Sequence, residues 1–227
     1  PAGGEPVMLQ SLAINATVDD LLTAPAAKAS VDAQGLTVGG QSIQNVTLQA
    51  IRTAKGAIQA TVAVAGQQPH PLALTLALAW PGQPQAPLTV QTLDARFDRH
   101  RLRSTAPWSV ALPGMGASDG WSLNNARLAV DSGSLSLDGG VKAGAIRLTI
   151  AADTLPLSLA DIAVPAFPLQ GTLSTRLSLQ GPLARNGQGI RGTWSLASSD
   201  IAAPETGLKG IQLALSGTIA GQQMTAD

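Results

Sequence analysis

Two imidazoles, one basic run and one glycine-rich run are the parts of this 227-residue sequence with the side chains for chemistry. His70 lies between Pro69 and Pro71, and His100 lies among Arg99, Arg101 and Arg103. Neither belongs to an HExxH run, a Ser-His-Asp order or a metal-ligand spacing, so both read as solvent-exposed turn histidines. Gly187-Gln188-Gly189-Ile190-Arg191-Gly192 matches G-x-G-x-x-G. That run holds a pyrophosphate only between a strand and a helix N-terminus. Here a strand, Thr193 to Ala197, follows, so the run reads as a β-turn entering a strand. The basic run Arg96 to Arg103 puts Arg99, Arg101 and Arg103 on one strand face. Such a face suits an anionic partner; a charge-protected edge strand is the simpler reading. With no Cys there is neither a thiolate metal site nor a disulfide framework. No catalytic residue, metal or cofactor is expected, and an enzyme is the least supported class.

Composition narrows the remaining classes. Lys+Arg and Asp+Glu are 14 each, for a formal net charge of zero, and charged residues are only 12%, about half the usual share. That balance excludes binding to a phosphate backbone, which needs a basic surface. The 44% apolar content excludes disorder. The purest apolar run, Leu72 to Trp80, is 9 residues, far short of the ~20 of a spanning helix. No signal peptide is expected. A start at Pro1 without Met and an end inside a polar-apolar pattern are expected of a piece of a longer protein.

The elements that must carry these residues are strands. Leu72, Leu74, Leu76, Leu78 and Trp80 alternate with Ala73, Thr75, Ala77 and Ala79. Leu169, Gly171, Leu173, Thr175, Leu177 and Leu179 alternate with Gln170, Thr172, Ser174, Arg176, Ser178 and Gln180. Side chains alternate across a strand, so each run has one greasy and one wet face. The same rhythm marks Val46-Leu48-Ala50, Ile58-Ala60-Val62-Val64, Ile146-Leu148-Ile150, Ile190-Gly192-Trp194-Leu196 and Ile211-Leu213-Leu215-Gly217. Turns are expected at Gly39-Gly40, Lys55-Gly56, Gly66-Gln67, Pro81-Gly82, Asp98 to His100, Ser118 to Gly120, Asp131 to Gly133, Gly139-Gly140, Gly181-Pro182, Asn186-Gly187 and Gly221-Gln222. This spacing predicts an all-β antiparallel meander of roughly fourteen strands. One short helix is expected over Pro156 to Ile162, between two prolines, and a weaker one over residues 18 to 28.

Ring poverty then bears on the architecture. The chain has four Trp, two Phe and no Tyr, whereas a two-sheet sandwich fills its centre with rings and branched side chains. Leu, Val, Ile, Ala and Gly spread over many strands favour a long curved sheet whose apolar face lines a groove; a plain β-sandwich is the rival. The groove lining would be Val62 and Val64; Leu74, Leu76, Leu78 and Trp80; Ile146, Leu148 and Ile150; Leu173, Leu177 and Leu179; Trp194 and Leu196; and Ile211, Leu213 and Leu215. Trp108 and Trp121, after Pro107 and Gly120, are expected at strand starts.

The segments Asp119 to Leu183 and Gly189 to Asp227 resemble the TamB family within the wider AsmA-like group. The cues are the "LPLSLADI" helix, then "LQGTL" and "LSLQGPL", and the later "IAAPETGLKGIQLAL". Upstream, "SVDAQGLTVGGQSIQNVTLQAI" and "LDARFDRHRLRSTAPWSVAL" suit the family's repeats. A related AsmA-like protein of the YdbH type has the same style. The resemblance implies an elongated, curved, antiparallel-rich sheet folded into a taco-like hydrophobic groove. It also implies a periplasmic location, with the full-length protein anchored in the inner membrane. The groove would conduct phospholipid acyl chains between inner and outer membrane, and an outer-membrane Omp85-class barrel would be met by parts outside this chain. Residues 1–118 would be one groove segment and 119–227 a second, with the helix near 156–162. The alternative is a scaffold that adds β-strands to nascent outer-membrane proteins.

Overall fold

The structure, a computed structural model, describes residues 8–19, 26–38, 41–68, 70–117, 119–162, 169–183, 189–203, 207–221 and 223–226. It is all-β and antiparallel. The strands are β1 (Ser11–Asp19), β2 (Ala26–Val38), β3 (Gln41–Arg52), β4 (Ile58–Gln68), β5 (Leu72–Trp80), β6 (Leu88–Phe97), β7 (His100–Ser104), β8 (Trp108–Pro113), β9 (Gly116–Ala117), β10 (Trp121–Val130), β11 (Gly133–Lys142), β12 (Ala145–Pro156), β13 (Gln170–Pro182), β14 (Arg191–Ala203), β15 (Leu208–Ala220) and β16 (Gln223–Met224). Two of them, β9 and β16, have only 2 residues each; the other 14 among the described residues agree with the strand number expected from the turn spacing. A single 3₁₀ helix, Leu157–Ile162, stands among the described residues where the proline-bounded segment predicts one.

The chain divides into two compact units. The first is Pro1–Pro107 with Gly114–Gly116, and the second is Trp108–Pro113 with Ala117–Asp227. In the first, β1 to β7 pair in chain order; in the second, β10 to β16 pair in chain order and β8 also pairs β10. Pairing of neighbours in sequence is what short turns permit.

Register stacks the alternating faces of successive strands. In the first unit Ile14, Val31, Leu48, Val62, Leu76 and Leu93 face one another in a row across six strands. A neighbouring row runs Leu12, Ala33, Val46, Val64, Leu74, Ala95 and Leu102. The intervening row, Ala13, Asp32, Thr47, Ala63, Thr75, Asp94 and Arg103, lies on the opposite face. In the second unit Ala126, Leu137, Ile150, Leu177, Trp194 and Gly217 make an apolar row. Its polar counterpart is Arg127, Ser136, Ala151, Arg176, Ser195 and Ser216. A slip of one residue in any pair would invert that strand's faces, so the pattern fixes the register.

Three strands of the second unit carry bulges at non-glycine residues with positive φ: Asn125 (58°), Thr154 (52°) and Asp200 (54°). An extra residue bends the strand and frees an amide from the ladder. Two of those amides are met by side chains of the next strand. Asn125 N–H donates to Asp138 Oδ2 at 2.9 Å, and Thr154 N–H donates to Ser174 Oγ at 3.0 Å.

Several sequence expectations are corrected. Val18 and Asp19 belong to β1 and Ala26 to Lys28 to β2, so the weaker helix is absent there; its centre lies outside the described residues. Two strands with alternating faces outweigh the capping signal of Asp19. Gly66-Gln67, Gly139-Gly140 and Gly181-Pro182 lie inside strands rather than in turns. The reason is close backbone approach: a Cβ on Gly140 would sit 2.1 Å from Trp121 O, and one on Gly139 would sit 2.1 Å from Arg147 O. The hairpin between β11 and β12 turns instead at Ala143 and Gly144, both with positive φ. The expected turns at Gly39-Gly40 and Asn186-Gly187, with Ser118 and Gln222, lie outside the described residues.

Candidate functional site

The candidate site is the apolar strand face, taken in each unit separately. In the first unit, Val62, Val64, Leu74, Leu76, Leu78 and Trp80 all fall on it. In the second, Ile146, Leu148, Ile150, Leu173, Leu177, Leu179, Trp194, Leu196, Leu213 and Leu215 share a face, and Ile211 follows beyond the bulge at Asp200. None of these side chains is buried. The buried apolar residues among those described are Val90, Ala111, Ala126, Leu128, Val130, Ala152 and Ala203, mostly small. A sandwich core would hide its large side chains. Here Ile14 is 65% exposed and Leu213 41%.

The lining expected from the sequence left out much of the first unit's face. Leu12, Ile14, Ala16 and Val18 on β1 alternate as clearly as β5, and Val31, Leu48, Val90 and Leu93 complete the rows. The period-two signal in β1 was available but competes with the helix expectation that begins at Val18.

The two tryptophans on this face are anchored at their polar ends. Trp80 Nε1–H donates to Ala86 O at 3.0 Å, and Trp194 Nε1–H donates to Thr225 O at 3.1 Å. Their rings therefore present apolar surface and no free donor. Trp108 and Trp121 open β8 and β10, as their Pro and Gly neighbours predict. The Trp108 indole N–H and the Ser198 hydroxyl are buried with no hydrogen-bond partner among the described residues.

The polar face holds the basic run. Arg96 and Arg101 are paired positions, and Asp94 is paired with Arg103. Arg101 Nε–H donates to Asp94 Oδ1 at 3.0 Å, and its Nη2 group donates to Asp94 Oδ2. The bidentate Arg101 hydrogen bonds hold the Asp94 carboxyl below its usual range, with Arg96 and Arg103 adding to the effect. Arg99 lies in the turn, not on the strand face, so the cationic set is Arg96, Arg101 and Arg103. His100 is also corrected: it is 8% exposed as the first residue of β7, because its row with Leu72 and Phe97 puts it on the apolar face. His70 is exposed, 5.5 Å from the Phe97 ring. A strand, β14, follows Gly189, so the described part of the G-x-G-x-x-G run has no helix N-terminus behind it. Among the described residues no three His, Asp or Glu cluster as for a metal, and no helix is long and apolar enough to cross a membrane.

No family model matches the chain, and neither curated proteins nor solved structures give a match.

Proposed function

We propose that the apolar strand face binds phospholipid acyl chains and passes them along a periplasm-spanning bridge protein of the TamB or AsmA-like kind, between inner and outer membrane. One observation carries the reading: the row Ile14, Val31, Leu48, Val62, Leu76 and Leu93 is apolar across six strands, none of the six is fully buried, and Ile14 is exposed. Acyl chains need apolar area without directional contacts, and each CH₂ they bury contributes about 0.8 kcal/mol. A face of aliphatic side chains with its indole donors already engaged supplies that area evenly, which lets a chain move along it. The resemblance of Asp119 to Leu183 and Gly189 to Asp227 to that family supports the same reading. On it the full-length protein is held in the inner membrane, meets an Omp85-class barrel through other segments, and is a conduit rather than a catalyst.

The test is to purify the chain and extract it for lipid mass spectrometry. Phospholipid is expected in the wild type and is expected to be lost in Leu76→Arg and Leu177→Glu with the strand signal in circular dichroism intact. An empty wild type, together with unfolding of both variants, overturns the reading.

A second reading, a scaffold that adds β-strands to nascent outer-membrane proteins, is favoured by open edges. Among the described residues β1 pairs only β2, and β16 covers only Ile219 and Ala220 of β15. Unpaired edge backbone accepts an incoming strand. Cross-links from β1 or β15 to unfolded barrel chains are expected on it; cross-links to lipid alone would exclude it.

A further inference from the structure

The apolar face of the first unit carries a single Lys, Arg, Asp or Glu among its described strand residues. Register sets Arg52, the last residue of β3, opposite Ala27 on β2 and Ile58 on β4, in a row that continues to Val18 and Trp80. The other strand charges alternate onto the polar face: Asp19, then Lys28 and Asp32 on β2, Asp94 and Arg96 on β6, and Arg101 and Arg103 on β7. The Arg52 side chain is exposed and makes no ion pair or hydrogen bond to a described residue.

We propose that Arg52 selects the phosphate of a bound phospholipid, which deepens the lipid-groove reading and rests on it. A guanidinium presents a planar fork of donors that fits two phosphate oxygens at once. Its aliphatic stem can lie over the apolar rows while the charge stays at their end. Beyond it on β3 come Ala50, Leu48 and Val46 on the same face. From Ala50 to Val46 is about 14 Å at ~3.4 Å per residue, close to one leaflet's depth, about 15 Å as half of a ~30 Å hydrocarbon core. A phosphate on Arg52 thus leaves its acyl chains on the apolar rows. The Trp80 N–H already donates to Ala86 O, so it does not compete for the headgroup.

The experiment offers the purified chain an equimolar mixture of phosphatidylglycerol and diacylglycerol with the same acyl chains, and native mass spectrometry reads the bound ratio. Enrichment of phosphatidylglycerol is expected for the wild type. Arg52→Gln should lower that ratio by roughly two- to fivefold, the range for an exposed charge pair, while total lipid stays the same. Arg52→Lys, which keeps the charge without the fork, should fall between. Arg103→Gln removes the same charge from the polar face and should leave the ratio unchanged. Equal uptake of both lipids by the wild type, an unchanged ratio in Arg52→Gln, or an equal loss in Arg103→Gln overturns the assignment to Arg52 and leaves the groove reading standing. Uptake of neither lipid by the wild type overturns both. Should Arg52→Gln not fold, the Arg52→Lys and Arg103→Gln ratios decide alone.

Discussion

The indole of Trp194 lies over Gly217: its N–H donates to Thr225 O at 3.1 Å, and a Cβ on Gly217 would sit 2.8 Å from that nitrogen and 1.8 Å from that oxygen. The absent side chain on β15 is what lets the ring from β14 reach across to the carbonyl beyond. Gly192 does the same for Leu179, whose Cδ2 would be 2.8 Å from an added Cβ. In the second unit glycines on the apolar face thus flatten it by letting neighbouring large side chains lie down.

Gly217→Ala is therefore expected to break the Trp194–Thr225 contact and to destabilise the second unit by about 1–3 kcal/mol, as overpacking does. Trp194→Phe removes the hydrogen bond, at about 0.5–1.5 kcal/mol, together with part of the ring's apolar area, but introduces no clash. Urea denaturation of both variants checks the order; an equal loss would mean the clash at Gly217 is relieved by movement of the chain around Thr225.

Ser174→Ala removes the acceptor of the Thr154 amide at the β12 bulge. Because that bond is exposed, water takes its place and the cost should be only about 0.5–1 kcal/mol. The sharper readout is hydrogen exchange: the Thr154 amide should exchange faster while its neighbours on β12 do not. Asp138→Asn keeps an oxygen for the Asn125 amide and should be nearly neutral, whereas Asp138→Ala should accelerate exchange at Asn125.

Burial separates a structural position on the apolar face of the second unit from a surface position on that of the first. Leu128→Ala, at 7% exposure, should cost about 2–3 kcal/mol. Ile14→Ala, at 65% exposure, should stay within about 0.5 kcal/mol yet reduce lipid carried by the first unit. Thermal denaturation paired with lipid extraction distinguishes the two effects.

The Asp94–Arg101 pair predicts a weak acid response. Arg101 lowers the Asp94 pKa in the folded state, so the contribution is present above the unfolded value of about 3.9 and is lost as pH falls through the lower folded value. Both side chains are about two-fifths exposed, at 41% and 42%, so salt should screen the effect. Carboxyl titration by NMR should show the Asp94 pKa rising toward its ordinary value in Arg101→Gln. An unchanged value would mean that Arg96 and Arg103 carry the shift.

The amino-acid sequence by itself determined the strands and the sorting of their faces, because side chains on a strand repeat every two residues and the alternation of β5 or β13 is a local fact. It also placed the helix after Pro156, since a proline restricts its own φ. What it left undecided depended on partners distant in the chain. Gly140 looks like a turn residue until Trp121 O is found against it, and His100 looks exposed until its row with Phe97 and Leu72 is assembled. The alignment of Ile14 with Leu93 through four intervening strands, the seat of Trp194 on Gly217 and the row that joins Arg52 to Trp80 all follow from cross-strand register. Whether an alternating face is covered is likewise set only when every element is in place. For this chain the tertiary structure decided that the large aliphatic side chains of Ile14, Ile211 and Leu213 are left exposed, and that is the physical ground on which its function is read.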